Sequence, residues 1–235
     1  MLMNYAADLR LQIEQRPEFM VKLMAIEGAS EEVAEDLREI IPIDFPISSF
    51  DLELEHIRAR AEEIDAVASA AVRIKPGGVL AVTVIEREPS VVWRGRDGLE
   101  LLDAEGHRVS SLESRAERPD LPLLAGDGAE AAVPEALALL EVADLISPRI
   151  RGLLRVGERR WDVVLDRDQR ILLPEGNAVS ALERVIGLDQ VRDLLARDIA
   201  VIDMRNPDRP TLRMTADAAE TFRDISKTMW EPASR

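Results

Sequence analysis

The sequence predicts an α+β protein, a β-α-α-β-β module followed by a mostly antiparallel β domain with two or three helices. Three observations lead there. Over residues 18–89 the apolar spacing switches from a period of two to one of about 3.6 and back again. After Pro89 the texture changes to short strands separated by turns. The chain has 235 residues and is 46% apolar, the length of about two domains with enough apolar residues for real cores.

Residues 4–16 carry Leu9 and Ile13 between charges, a weakly amphipathic helix that Pro17 ends. Phe19, Val21, Leu23 and Ala25 alternate with Met20, Lys22, Met24 and Ile26, one strand closing at Gly28. Ser30 then caps a helix with an acidic first turn, Glu31 and Glu32, and an apolar face of Val33, Leu37, Ile40 and Ile41. Pro42 and Pro46 break the pattern. A second helix is expected from about Asp51 to Ile64, with Leu54, Ile57, Ala61 and Ile64 on one side. Strands Val67–Lys75 and Val79–Glu88 flank Pro76-Gly77-Gly78, where proline fixes one φ and the glycines allow positive φ. Pro89 ends the last strand because it has no N–H to donate.

Beyond it, Val91–Arg94, Leu99–Asp103 and His107–Val109 read as short strands, residues 110–121 as a polar loop, and Leu121–Gly126 as a return to the core. Pro134 suits a helix start, and Leu137, Leu140, Ala143, Leu145 and Ile146 are that helix's expected buried side. Strands Ile150–Val156, Trp161–Leu165 and Arg170–Leu173 follow. Asn177 is an expected N-cap for a helix burying Ala181, Leu182, Val185 and Ile186, and a shorter helix after Gly187 presents Leu188, Val191, Leu194 and Leu195. Ile199–Met204 and Thr211–Thr215 are strands joined by a turn over 206–210. A last helical pattern contains Ala218, Phe222, Ile225 and Met229.

Composition removes several chemistries. Forty-five acids against 30 bases leave a net charge of -15, the wrong sign for a surface that follows phosphates, so no nucleic acid is expected as a partner. There is no cysteine, which excludes thiol nucleophiles, disulfides and thiolate metal sites. Only His56 and His107 are present, each beside charged residues or in a turn, and both read as solvated side chains. No metal, cofactor or catalytic residue is expected. Trp161 alternates inward with Val163 and Leu165, a core role, while Trp93 is expected to seal the junction between the two units. Arg159 and Arg160 read as solvated or acid-paired. Glu86 and Glu88 share a strand face like a glycosidase carboxylate pair, but Arg87 and Pro89 favour a junction role. Gly77-Gly78 lacks phosphate-loop spacing. No apolar run approaches the ~18 residues of a membrane-spanning helix, and the opening residues lack the pattern of a signal peptide.

Four spaced runs carry a family resemblance. They are Glu86-Arg87-Glu88-Pro89 with Trp93, Leu121-Pro122-Leu123-Leu124-Ala125-Gly126, Arg159-Arg160-Trp161-Asp162 with Leu173-Pro174, and Asp203-Met204-Arg205. In this order they resemble the FtsQ/DivIB family of bacterial cell-division proteins, and Ser49-Phe50-Asp51-Leu52 fits the same pattern. Met204 stands where that family usually has leucine.

The resemblance implies a juxtamembrane helix or linker over 1–17, a POTRA domain over 18–89, a family-type β domain over 90–215 and a C-terminal helix and tail over 216–235. It further implies a non-enzymatic scaffold of the division septum. One inner-membrane helix would precede this portion, which would lie in the periplasm. FtsB, paired with FtsL, would dock by adding a strand beside the last strand of the β domain. The positions this maps to are Arg205, Asn206, Thr211, Leu212, Arg213, Met214 and Thr215, with the helix after Asn177 nearby. Some members carry an aromatic anchor at the position of Asn206. A glycan hydrolase of the cell envelope is one alternative, although only 3% of residues are aromatic where sugar-stacking platforms want more. An outer-membrane assembly or secretion protein, which also uses POTRA modules, is the other.

Overall fold

The structure is a computed structural model that describes residues 16, 18–206 and 208–230. The expected helix over 4–16 lies outside them, apart from Arg16, as do the side chains of Ile225 and Met229. The chain divides into two compact units, Met1–Glu88 with Arg108–Ser110, and Pro89–His107 with Ser111–Arg235.

The first unit runs β1 (Met20–Val21), β2 (Leu23–Glu27), α1 (Glu31–Ile40), β3 (Ile47–Ser48), α2 (Leu54–Ala61), β4 (Val67–Lys75) and β5 (Val79–Glu86). β5 is central, parallel to β2 and antiparallel to β4, so the β-α-α-β-β arrangement holds. Its core joins Val33 and Leu37 of α1, Ile57 and Ala61 of α2, and Leu80, Val82 and Val84 of β5.

The single strand expected over 19–26 is instead two. β1 pairs with β3 and β2 with β5, and at the break the Lys22 N–H donates to the Gly78 carbonyl at 2.8 Å. Gly78 approaches so closely that a Cβ there would lie 2.3 Å from the Met20 oxygen, and its φ is +76°. Ser30 caps α1 as expected, its hydroxyl accepting from the Val33 N–H. The Ser30 N–H donates to Glu86 Oε1. That bond gives Glu86 a structural partner inside its own unit. α2 is shorter than the expected 51–64, because Glu53 supplies no capping bond and the chain turns at Ile64 into β4.

The second unit carries β6 (Val91–Arg94), β7 (Leu99–Leu102), β9 (Leu123–Ala125), α3 (Val133–Val142), β10 (Ile150–Val156), β11 (Arg160–Leu165), β12 (Arg170–Leu172), α4 (Ala178–Arg192), β13 (Ile199–Asp203), β14 (Thr211–Met214) and α5 (Ala216–Trp230). With β8 (Arg108–Leu112) after β7, the sheet order is β14-β13-β12-β11-β10-β9-β6-β7-β8. β8 is longer than expected, and the loop after it contains a 3₁₀ turn at Arg115–Glu117 closed by a Ser114/Glu117 capping box.

An apolar row crosses this sheet in register, Leu124, Leu153, Val163, Ile171, Ile202 and Leu212. The first five are buried. Trp161 is 1% exposed on the same face, as its alternation requires. Its Nε1–H donates to Glu135 of α3 at 3.1 Å, and the Arg155 guanidinium lies 5.0 Å from its ring. Trp93 packs against this unit's own core, with Nε1–H donating to the Gly126 carbonyl at 3.2 Å. Gly126 ends its motif for a steric reason, since a Cβ there would sit 2.2 Å from the Arg155 oxygen at φ +99°.

Two helix expectations need correction. α3 buries Val133, Ala136 and Leu139, followed by Ala143 and Ile146, while Leu145 is 67% exposed. The helix is apolar almost all round, so its period does not choose a face. The two helices expected after Asn177 are one, α4, continuing through Gly187, where nothing lies within 4 Å of a Cβ. Asn177 precedes it in left-handed conformation and makes no capping bond. The helix stops at Asp193, also left-handed, and a 3₁₀ turn at Leu194–Ala196 carries Leu194 and Leu195 into the core. Leu188 and Val191 stay outside, 46% and 80% exposed.

Candidate partner-binding edge

β14 ends the nine-stranded sheet. Its antiparallel partner β13 lies on one side, and no described strand lies on the other. The Thr215 N–H donates to the Asp198 carbonyl at 2.9 Å. Backbone groups alternate along an antiparallel strand, so the N–H and C=O of Met214 and Leu212 point away from β13. All four residues of β14 are exposed, whereas Ile199, Val201 and Ile202 beside them are buried. Thr211, Leu212, Arg213 and Met214 therefore lie on an open edge, and Thr215 connects it to α5, where its hydroxyl accepts from the Ala218 N–H at 3.4 Å.

Arg205 and Asn206 occupy the turn before this strand. The Arg205 guanidinium grips Asp203 through Nε at 2.9 Å and Nη2 at 2.6 Å, and the Arg205 N–H also donates to that carboxylate at 3.0 Å. These bonds hold the Asp203 carboxyl below the ordinary carboxylate range and raise the Arg205 guanidinium. Sequence reading named Arg205 as a partner-binding position without pairing it to Asp203, two residues earlier. Asn206 Oδ1 accepts from the Asp208 N–H at 3.1 Å, closing the turn. Asp203, Arg205, Asn206, Arg209 and Thr211 line a recess of about 390 Å³.

Behind the edge, the face opposite the core carries Arg160 and Asp162 of β11 and Arg170 of β12. Asp162 is 5% exposed, its Oδ1 has no hydrogen-bond partner, and Arg160 Nε stands 3.7 Å from it. Burial raises the Asp162 carboxyl above its ordinary value, against the opposing pull of Arg160, Arg170 and Arg205. On the far side of Met214 a recess of about 550 Å³ is lined by Asp198, Thr215, Asp217, Ala218, Thr221 and Phe222. Of these, sequence reading placed only Thr215 at the site, because the packing of Asp198 and the α5 residues around the strand end is set by the fold.

Among the described residues one group has metal-ligand character. Asp103, Glu105 and His107 place one ligand atom each within 4.8 Å. Asp103 Oδ1 already accepts the N–H groups of Glu105 at 3.1 Å and His107 at 2.8 Å, so it closes a turn. His56, exposed on α2, lies among Asp44, Asp51 and Glu53 beside a groove in the first unit.

Comparison with known proteins gives this arrangement its context. The family model described as "Cell division protein FtsQ/DivIB, C-terminal" matches residues 91–205. The chain is 59% identical over 214 residues to the cell division protein FtsQ of Dinoroseobacter shibae, spanning 91% of this chain and 72% of that one. The chain belongs to the FtsQ/DivIB family. Similar matches are the FtsQ of Paracoccus denitrificans, 53% identical over 90% of this chain and 62% of that protein, and the FtsQ of Roseobacter litoralis, 50% identical over 93% and 75%. It is a cell-division protein on that membership. The FtsQ/DivIB model ends at Arg205, so β14 and α5 lie just past it. Among the described residues no helix is long and apolar enough to cross a membrane.

Proposed function

We propose that the protein is a non-enzymatic scaffold of the division machinery that recruits FtsB, paired with FtsL, by strand addition along β14. The observation that carries this reading is the open edge, where Leu212 and Met214 turn their backbone groups away from β13. A strand added there gains main-chain hydrogen bonds, while alternate side chains set which partner fits. Arg205 and Asn206 flank the entry to the strand, and the exposed Leu188–Val191 pair on α4 offers apolar surface for a partner helix. The first unit is a POTRA domain in this reading, with residues 1–17 leading from one inner-membrane helix and the described portion standing in the periplasm at the septum.

The test is FtsB binding by wild type, Met214→Pro and Arg205→Glu, with circular dichroism as the check on folding. Met214→Pro removes an outward donor at an edge position that tolerates proline, and it should weaken binding at least about fivefold. Undiminished binding by the folded variant would sink the edge model at that position. The absence of turnover is tested with peptidoglycan, and reproducible hydrolysis lost in Glu86→Gln would overturn the non-enzymatic reading.

A further inference from the structure

Resting on the edge-strand reading, we infer that the segment pairing with β14 alternates apolar, acidic and apolar residues, with the acid opposite Arg213 and the apolar side chains beside Leu212 and Met214. The register dictates this pattern. Leu212 continues the buried row of Val163, Ile171 and Ile202, yet is itself 53% exposed. Met214 pairs with buried Ile199 on the same core side and is 42% exposed, at the mouth of the 550 Å³ recess shared with Ala218 and Phe222. One further strand completes that row only if it brings apolar side chains to the same face, because directly opposed side chains are the unit of sheet stability.

The intervening residue faces the other way. Arg213 pairs with Val201, and Val201 with Arg170. Arg209 and Arg213 are exposed and make no ion pair or hydrogen bond among the described side chains, whereas Arg205 is held by Asp203. Arg160, Arg170, Arg205 and Arg213 outnumber Asp162 and Asp203 on this face of a chain whose net charge is -15. Arg213 also lies between the outward-bonding positions 212 and 214. In an antiparallel addition it therefore sits in a non-hydrogen-bonded pair, where opposed side chains approach most closely. A carboxylate there meets an uncompensated guanidinium, and a lysine meets like charge.

The probes are three labelled nine-residue synthetic peptides, titrated against the full chain by fluorescence anisotropy. One has a central isoleucine-glutamate-valine within alternating threonine and valine, the second replaces glutamate by lysine, and the third replaces isoleucine and valine by threonine. Wild type should prefer the first over the second by about fivefold and over the third by a similar factor. Arg213→Glu should invert the charge preference. Binding without charge preference, still lost in Met214→Pro, would overturn this inference and leave the edge-strand reading standing. Binding by none of the peptides, or binding indifferent to Met214→Pro, would overturn both.

Discussion

At the scale of single residues, the pair Asp203–Arg205 makes a charge reversal at 205 more than a change of rim charge. Arg205→Glu sets a new carboxylate against Asp203, near Asp162, so it should unsettle the 204–210 turn as well as slow association with an acidic partner. Arg205→Gln separates the two effects, and it should reduce the salt dependence of binding while keeping the fold. Trp161 is the largest fully buried side chain of the second core. Trp161→Ala should cost about 3–5 kcal/mol in urea unfolding, and Trp161→Phe, which loses the bond to Glu135, about 1 kcal/mol. Asp162 behaves oppositely. Its folded-state carboxyl is raised, so above that raised value it is charged at a cost that the unfolded chain does not bear. Asp162→Asn should therefore be more stable than wild type at neutral pH, by about 1 kcal/mol. The advantage should shrink as pH falls through the raised value and vanish where both states are protonated. A variant less stable at pH 7, with the deficit closing on acidification, would mean that the Arg160 pairing outweighs desolvation.

At the scale of elements, α1 and β14 contrast a helix whose start is secured locally with a strand whose role is decided by its neighbours. Ser30 and the acidic first turn were legible as a helix start, because a capping bond reaches only three residues ahead. The bond from the Ser30 N–H to Glu86 spans 56 residues and was not legible. Glu86→Gln keeps an acceptor oxygen, so it should weaken the α1 end less than Glu86→Ala, a difference readable as hydrogen exchange of the Ser30 amide. β14 was legible as a strand following the turn over 206–210. Its place at the sheet end, and the outward direction of the Leu212 and Met214 amides, come from its register with β13. Those two amides should exchange fast in the free protein and become protected on partner binding, whereas the Arg213 and Thr215 amides should be protected throughout. α4 shows a failure of local reading. Leu188, Val191, Leu194 and Leu195 fit one apolar stripe, but Asp193 turns the chain between them, leaving the first pair in solvent.

At the scale of the whole molecule, the two apolar cores share no residue, and the division falls at Glu88 and Pro89. Fragments 17–89 and 90–215 should each unfold cooperatively in urea, with m-values that scale with their own buried surface. Loss of cooperative unfolding in both fragments would mean one integrated core. The second fragment lacks α5, so a retained preference for the acidic peptide would assign that preference to β14, and a lost apolar preference would assign the Met214 recess to α5.

The sequence alone determined the α+β class, the order of nearly all strands, the cap of α1, the buried place of Trp161 and the family, because periodicity, capping and turn chemistry act over a few residues. Tertiary structure decided which segments pair and which faces stay open. It split 19–26 between two partners, turned α3 about its axis, left Leu188 and Val191 outside, gave Arg205 to Asp203 and set β14 at the sheet's end. Each of these depends on contacts between residues distant in the chain, and the competing local patterns differ in free energy by less than the packing that selects among them.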